Sequence, residues 1–257
     1  MQPIFRVDGD RVVTSPDAAG PWDPRMQHGS APAALVVWAA EAIPTPVPMH
    51  VARVTIDLMR PVPVAPLTIE SEVLREGRKI QLCGIRLKAD GVVVVSASVL
   101  KIKVQPAELP PGIADLRVDL PGPDQCMVEP GNLANSPFVR CISMRAARGR
   151  FGQTGPGAIW FRVDHPLIAG AAVSQAMRAV VASDFSNGTS PALDFAKWTF
   201  INADLTVNLA RQPIGDWILL DGESWIGPDG AGLAMSRLAD QHGYFGRAVQ
   251  SLVIEPR

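Results

Sequence analysis

Val54-Thr55-Ile56-Asp57-Leu58-Met59-Arg60 and Leu205-Thr206-Val207-Asn208-Leu209-Ala210-Arg211 read as one strand written twice, displaced by a constant 151 positions. The match runs on. Leu67-Thr68-Ile69-Glu70 aligns with Ile218-Leu219-Leu220-Asp221 and Glu72 with Glu223 at the offset of 151, and Gly91 pairs with Gly243 and Ile102 with Ile254 at 152. One extra turn residue in the second copy accounts for the change. Solenoid units are about 20–50 residues long, so this longer period indicates a tandem duplication of one small domain. Function is then sought where the copies differ.

Each strand copy lies in a meander that follows a helix. A hairpin is expected around Asp8-Gly9-Asp10, because alternating residues flank an Asp/Gly turn. From Ser30 to Ala42 the run containing Ala33, Ala34, Leu35, Val37 and Trp38 leaves almost no polar face, with Ser30 as expected N-cap and Pro32 just inside. A helix apolar all round is a buried one. Strands are expected at 51–60, 66–75, 79–89 and 92–103, and in the second copy at 138–147, 158–163, 199–211, 216–226, 231–239 and 244–255, with a helix from Ala171 to Phe185. The Pro- and Gly-rich stretch between them reads as a surface linker. The expected organisation is a first domain at 1–104, a linker at 105–137 and a second domain at 138–257. A curved antiparallel sheet wrapped around one helix is the hotdog architecture, so the fold class is α+β, a double hotdog. A lone hotdog exposes a sheet edge, and fusing two copies makes their pairing intramolecular. The edges that remain make a homo-oligomer the expectation.

Composition excludes several classes. With 24 basic and 25 acidic residues, and no run of Lys or Arg, no nucleic-acid partner is expected. The longest apolar stretch, around Ala33 to Ala40, falls far short of the ~20 residues a membrane span needs, and no charged leader opens the chain. Cys83, Cys126 and Cys141 are widely spaced, without CxxC or clustered histidine, so a reduced, cytoplasmic protein without metal or other cofactor is expected. His50, His165 and His242 lack ligand-like spacing, no serine lies in a GxSxG elbow, and Cys83 sits in an apolar strand where thiols are inert.

Several short motifs, taken in order, carry a family resemblance. They are His28-Gly29-Ser30-Ala31-Pro32-Ala33-Ala34-Leu35, Asp57-Leu58-Met59-Arg60-Pro61-Val62-Pro63, Ala182-Ser183-Asp184-Phe185, Asp204 seven residues before Arg211, Trp217-Ile218-Leu219-Leu220 leading to Glu223-Ser224, and Ala248-Val249-Gln250. Over most of its length the chain resembles acyl-CoA thioesterases of the TesB-like double-hotdog type, especially shorter actinobacterial-looking members. The resemblance implies hydrolysis of an acyl-CoA or acyl-carrier thioester by water that an Asp, a Thr or Ser and a Gln of the second hotdog activate. Asp204 and Gln250 match the first and last of these, and Trp225 stands where the hydroxyl is expected. Ser224 is next to it, but adjacent strand residues point to opposite faces, so Ser224 substitutes only if a bulge re-aims it.

The copies differ at these positions, since Arg53 is equivalent to Asp204 and Ser98 to Gln250. Buried at the mouth of an apolar tunnel, Asp204 would serve as base; its plain alternative is to satisfy backbone donors at a strand end. Gln250 would hold the water, or else face solvent from a sheet edge. His28, Gly29 and Ser30 open the buried helix, whose free N–H groups suit an oxyanion, or else form only a tight turn. The carrier is expected over the Arg-bearing outer surface, with Arg60 and Trp225 as further substrate contacts. The rival readings are a non-catalytic acyl-CoA binder and a hotdog hydratase, for which Asp164-His165 is the nearest candidate pair.

Overall fold

The computed structural model describes residues 2–113, 116–130 and 136–257. Alternating apolar residues in the first copy form β1 (Phe5–Asp8), β2 (Arg11–Thr14), β3 (Met49–Leu58), β4 (Leu67–Glu76), β5 (Ile80–Ala89) and β6 (Val92–Lys103), with α1 (Ser30–Ala42) inserted between β2 and β3. Asp90 and Gly91 turn β5 into β6 with φ of 48° and 78°, the two left-handed residues that a tight hairpin of this twist requires. The second copy comprises β7 (Met127–Val128), β8 (Ile142–Arg148), β9 (Gly157–Val163), α2 (Gln175–Ser183), α3 (Ser186–Thr189), β10 (Trp198–Asn202), β11 (Asp204–Leu209), β12 (Trp217–Ile226), β13 (Ala231–Asp240) and β14 (Gly243–Pro256).

Local chemistry explains where these elements depart from expectation. Ser30 is not the cap of α1 but its first helical residue; Gly29 holds the cap position without a side-chain bond. The second helix starts only at Gln175, because Ser174 Oγ accepts the Met177 N–H at 3.1 Å and caps it there. The strand expected over 199–211 is divided at Ala203, whose N–H donates to Ser251 O at 2.9 Å, so β10 and β11 pair separately with β14. The segment 105–137 carries β7, paired with β8 through Met127 and Ala146, and Pro121 O accepts the Trp160 indole N–H at 2.9 Å. Positions 114–115 and 131–135 of that segment lie outside the described residues.

All strands join in one sheet, in the order β1, β2, β4, β5, β6, β3, β11, β14, β13, β12, β9, β8, β7, with β10 flanking β14. The two copies meet where β3 and β11 pair antiparallel, with Thr55 opposite Thr206, Asp57 opposite Asp204 and Arg53 opposite Asn208. Thr55 and Thr206 are repeat equivalents, so an internal pseudo-twofold axis passes between them. Val54, Ile56, Leu205 and Val207 are buried on the helix side, and the residues between them look outward. Ala31, Ala34, Leu35, Val36 and Val37 of α1 have no exposed surface and share one core with Ala176, Met177 and Val180 of α2. Fully burying a side chain such as Leu35 contributes roughly 1.5–3 kcal/mol, and residues on both copies provide that burial. A second tie crosses the copies at the N-terminus, where the Phe5 N–H donates to Leu167 O at 2.8 Å and Phe5 O accepts the Ala169 N–H at 2.9 Å.

Gly246 of β14 shows how closely the strands approach at this join. A Cβ built there would lie 2.4 Å from Asn208 O, a backbone atom of β11 that can yield only by parting the two strands. Gly246→Ala is expected to destabilise the fold by about 1–3 kcal/mol, read as a lowered urea midpoint with an unchanged slope.

Candidate functional site

The polar centre of the molecule forms where the start of α1 meets the end of α2. Asp184 is the C-cap residue of α2, and its side chain is only 5 % exposed. A helix C-terminus repels an anion, so the carboxylate needs other partners, and four side chains surround it. Asn202 Nδ2 donates to Oδ1 at 3.0 Å and Gln250 Nε2 to the same oxygen at 3.3 Å. His28 Nδ1 lies 3.0 Å from Oδ2, and Ser30 Oγ lies 3.1 Å from it. Ser30 has one hydroxyl hydrogen, and the closer acceptor is Val181 O at 2.9 Å.

His28 is held between the rings of Phe138 and Phe185, with centroids 5.1 and 4.6 Å away. Its Nδ1 is also 3.2 Å from the Ser30 N–H. One nitrogen cannot both donate to Asp184 and accept from Ser30. The carboxylate is the closer and charged partner, so the proton belongs on Nδ1, directed at Asp184. Gly29 makes room for the carboxylate, since a Cβ there would lie 2.7 Å from Oδ1.

Gln250 is fully buried and faces the helices from β14 rather than solvent. Its amide is oriented by three bonds: Nε2 donates to Asp184 O at 3.2 Å and to Oδ1, and Oε1 accepts the Asn187 N–H at 3.2 Å. Asn187 Nδ2 in turn donates to Phe200 O at 2.7 Å. Gln250 shares a cross-strand row with Ala234 and Ser224. Ser224 therefore faces inward, and its Oγ lies 3.1 Å from Ser190 Oγ. No bulge interrupts the pairing of β12 with β13, and the orientation expected for the neighbouring pair is reversed: Trp225 points outward and is 58 % exposed.

Asp204 lies apart from this centre. It occupies the outer face of the sheet because Leu205, Val207 and Leu209 take the inner one, and its Oδ1 accepts the Ser251 N–H at 2.5 Å, closing the ladder where β10 gives way to β11. That is the plain alternative set out for it above. Arg60 is exposed just past β3, whose last residue, Leu58, donates its N–H to Ala203 O at 2.9 Å. Asp164 accepts from Arg162 Nε at 2.7 Å and from Ser143 Oγ, and makes no hydrogen bond or ion pair with His165.

Asp184 and Asn202 are the residues that sequence reasoning missed as chemistry. The available signal was an acid placed at a helix C-terminus, against the dipole. Among the described residues no group of three His, Cys, Asp or Glu could hold a metal ion, and no helix is long and apolar enough to cross a membrane.

The description "Acyl-CoA thioesterase N-terminal domain" matches residues 18–102, and "Acyl-CoA thioesterase C-terminal domain" matches 118–254. No curated protein matches the chain in sequence. Among solved structures, a protein of Novosphingobium aromaticivorans provisionally described as a thioesterase superposes with a TM-score of 0.73 at 23 % identity, covering 98 % of this chain and 99 % of its own. A protein of unknown function with a hot dog fold from Alicyclobacillus acidocaldarius gives 0.76 at 16 % identity, covering 98 % and 95 %. An acyl-CoA thioesterase II, TesB2, from Mycobacterium marinum gives 0.67 at 17 % identity, covering 88 % of each chain. At these identities the likenesses bear on the fold alone, a double hotdog.

The cysteines stand outside the chemistry. Burial, with Asp17 nearby, pushes the Cys141 thiol up to about 12, and burial also raises Cys83 and Cys126. With the native chain at pH 8, a chromogenic disulfide reagent should titrate Cys126 at most, and Cys83 and Cys141 only after denaturation.

Proposed function

Because the chain belongs to the acyl-CoA thioesterase family, we propose that it hydrolyses an acyl-CoA thioester and that Asp184, rather than Asp204, is the base. The observation that supports this most is the buried Asp184 carboxylate, held by the Gln250 and Asn202 amides against the first turn of α1. An ionised carboxylate has about four lone-pair positions. Asn202 and Gln250 occupy Oδ1 and His28 takes one position on Oδ2, so with the Ser30 proton directed to Val181 O one position stays open for a water O–H.

In this mechanism the water oxygen attacks the thioester carbonyl carbon while its proton passes to Asp184 Oδ2. The carbonyl oxygen becomes the oxyanion, which the Ser30 N–H meets once Nδ1 of His28 is committed to Asp184. Electrostatic stabilisation of this kind is commonly the largest single contribution to such a rate. Collapse of the tetrahedral intermediate breaks the C–S bond, and the departing sulfur takes the proton from Asp184, giving free acid and free thiol. In this reading Arg60, exposed just past β3, is a contact for the carrier.

The non-catalytic reading was motivated by Trp225 at the hydroxyl position. Trp225 faces away, and Ser224 stands in the row of Gln250, so that motive falls. Purified protein given acyl-CoAs of several chain lengths should release thiol, and Asp184→Asn should lower kcat about 10²–10⁴-fold, the usual worth of a general base, with its melting temperature retained. Asp204→Asn should keep most of the activity. Equal turnover by wild type and Asp184→Asn would remove the proposed base, and acyl-CoA binding without turnover by the wild type would select the binder.

A further inference from the structure

An acyl chain whose carbonyl is held at Asp184 needs an apolar path away from that carboxylate, and the surrounding side chains leave one direction for it. Toward the strands stand the amides of Asn202 and Gln250. Between the helices there is no gap at this level, since Ser30 Oγ of α1 donates to Val181 O of α2 at 2.9 Å. The remaining side is aromatic. Phe185 lies against His28 with 4.6 Å between ring centroids, and Phe161 against Phe185 with 4.9 Å. Phe151 stands steeply tilted to both, 6.0 Å from Phe185 and 6.3 Å from Phe161.

Phe151 differs from the other rings in how it is held. Phe161 and Phe185 are buried, one in β9 and one just past the end of α2, whereas Phe151 is half-buried and enters the cluster from the turn between β8 and β9. The backbone of that turn is fixed. The Gly152 N–H donates to Gly188 O at 2.8 Å and the Gly155 N–H to Pro191 O at 2.9 Å, and Arg150 Nε donates to Oε1 of the buried Glu129 at 2.6 Å. The ring, rather than the turn, is therefore the movable part, and a change of rotamer is enough to swing it into solvent. Its seat is Gly188 of α3. A Cβ built on Gly188 would lie 2.4 Å from Phe151 Cζ, so the ring occupies this place only because residue 188 has no side chain.

We infer that Phe151 is the gate of the acyl-chain cavity and sets the chain length the site accepts, an inference that rests on the reading of the substrate as an acyl-CoA. The first carbons of the chain run along Phe185, and the ring of Phe151 fills the space that a longer chain takes. A short acyl group fits without moving it. A longer one has to expel the ring, giving up the ring's own burial in exchange for that of its methylenes. Removing such a ring from an apolar lining leaves a dry cavity that accepts hydrocarbon.

Calorimetric titration with oxoalkyl-CoA thioethers, which keep the carbonyl but cannot be hydrolysed, tests this across acetyl, butyryl, hexanoyl and decanoyl chain lengths. Wild-type affinity should rise about fourfold for each methylene taken out of water and level off before the decanoyl length, whereas Phe151→Ala should go on rising and bind the decanoyl analogue roughly tenfold more tightly than the wild type. Gly188→Ala should do the same, because its methyl evicts the ring from its seat, and combining the two substitutions should add nothing further. Circular dichroism melting shows that each variant is folded, and Gly188→Ala decides the matter if Phe151→Ala is not. A wild-type affinity that keeps climbing to the decanoyl length overturns the inference, and so does a folded variant of either kind that binds the decanoyl analogue no better than the wild type. Thiol release from acyl-CoA is a separate measurement. Thioether binding that responds to these substitutions without thiol release would keep the gate and remove hydrolysis, whereas thiol release with an unchanged chain-length profile would remove the gate alone.

Discussion

The ladder between β3 and β11 is the constraint on which the rest of the molecule depends. A hotdog alone would leave β3 as an open edge with its backbone groups unpaired. Pairing it with the equivalent strand of the second copy removes both edges and relates the repeats by a pseudo-twofold axis, with Thr55 opposite Thr206. That arrangement carries the start of α1 to the end of α2. The site then draws His28, Gly29 and Ser30 from one repeat and Asp184, Asn202 and Gln250 from the other. Neither repeat holds it alone.

Asp184 lies between two helix ends of opposite sign. The C-terminus of α2 disfavours its charge and the N-terminus of α1 favours it, each by roughly 0.3–1 kcal/mol at exposed sites. These nearly cancel, so hydrogen bonds from two amides and an imidazole decide whether the buried carboxylate is tolerated. The internal symmetry has a second such place, where Glu41 near the end of α1 meets Ser174 at the start of α2. There Lys101, almost fully buried, directs its ammonium to Ile43 O at 2.9 Å and Gln81 Oε1 at 3.0 Å. Burial raises the pKa of the Glu41 carboxyl there, against the opposing effects of the Ser174 hydroxyl and the Lys101 ammonium. The two equivalent places thus differ in what meets the carboxylate: two amides and an imidazole at Asp184, a hydroxyl and an ammonium at Glu41.

Strand alternation determines which differences between the copies matter to chemistry. Asp204 against Arg53 and Gln250 against Ser98 are equally conspicuous in an alignment of the repeats. Only Gln250 faces the helices, because Ala248 and Leu252 beside it share its face, whereas Leu205, Val207 and Leu209 occupy the inner face of β11 and leave Asp204 outside. At Ser224 and Trp225 the same alternation, unbroken by a bulge, turns the hydroxyl inward and the indole outward.

The duplication, the buried first helix and the strand limits of the first copy were legible because they are local: a period of two in the strands, an apolar run without a polar face, an Asp-Gly turn. The double-hotdog fold class followed from their order, and the motif Ala182-Ser183-Asp184-Phe185 could be read as a mark of kinship. What that motif does could not be read, since Asp184 acquires its partners from residues 18 to 156 positions away along the chain, as Asn202 and His28 show. Only the tertiary structure decided that this carboxylate, and not Asp204, stands with Gln250. Sequence periodicity tells which residues share a face, but which face meets the other repeat's helix is set by how the two sheets join.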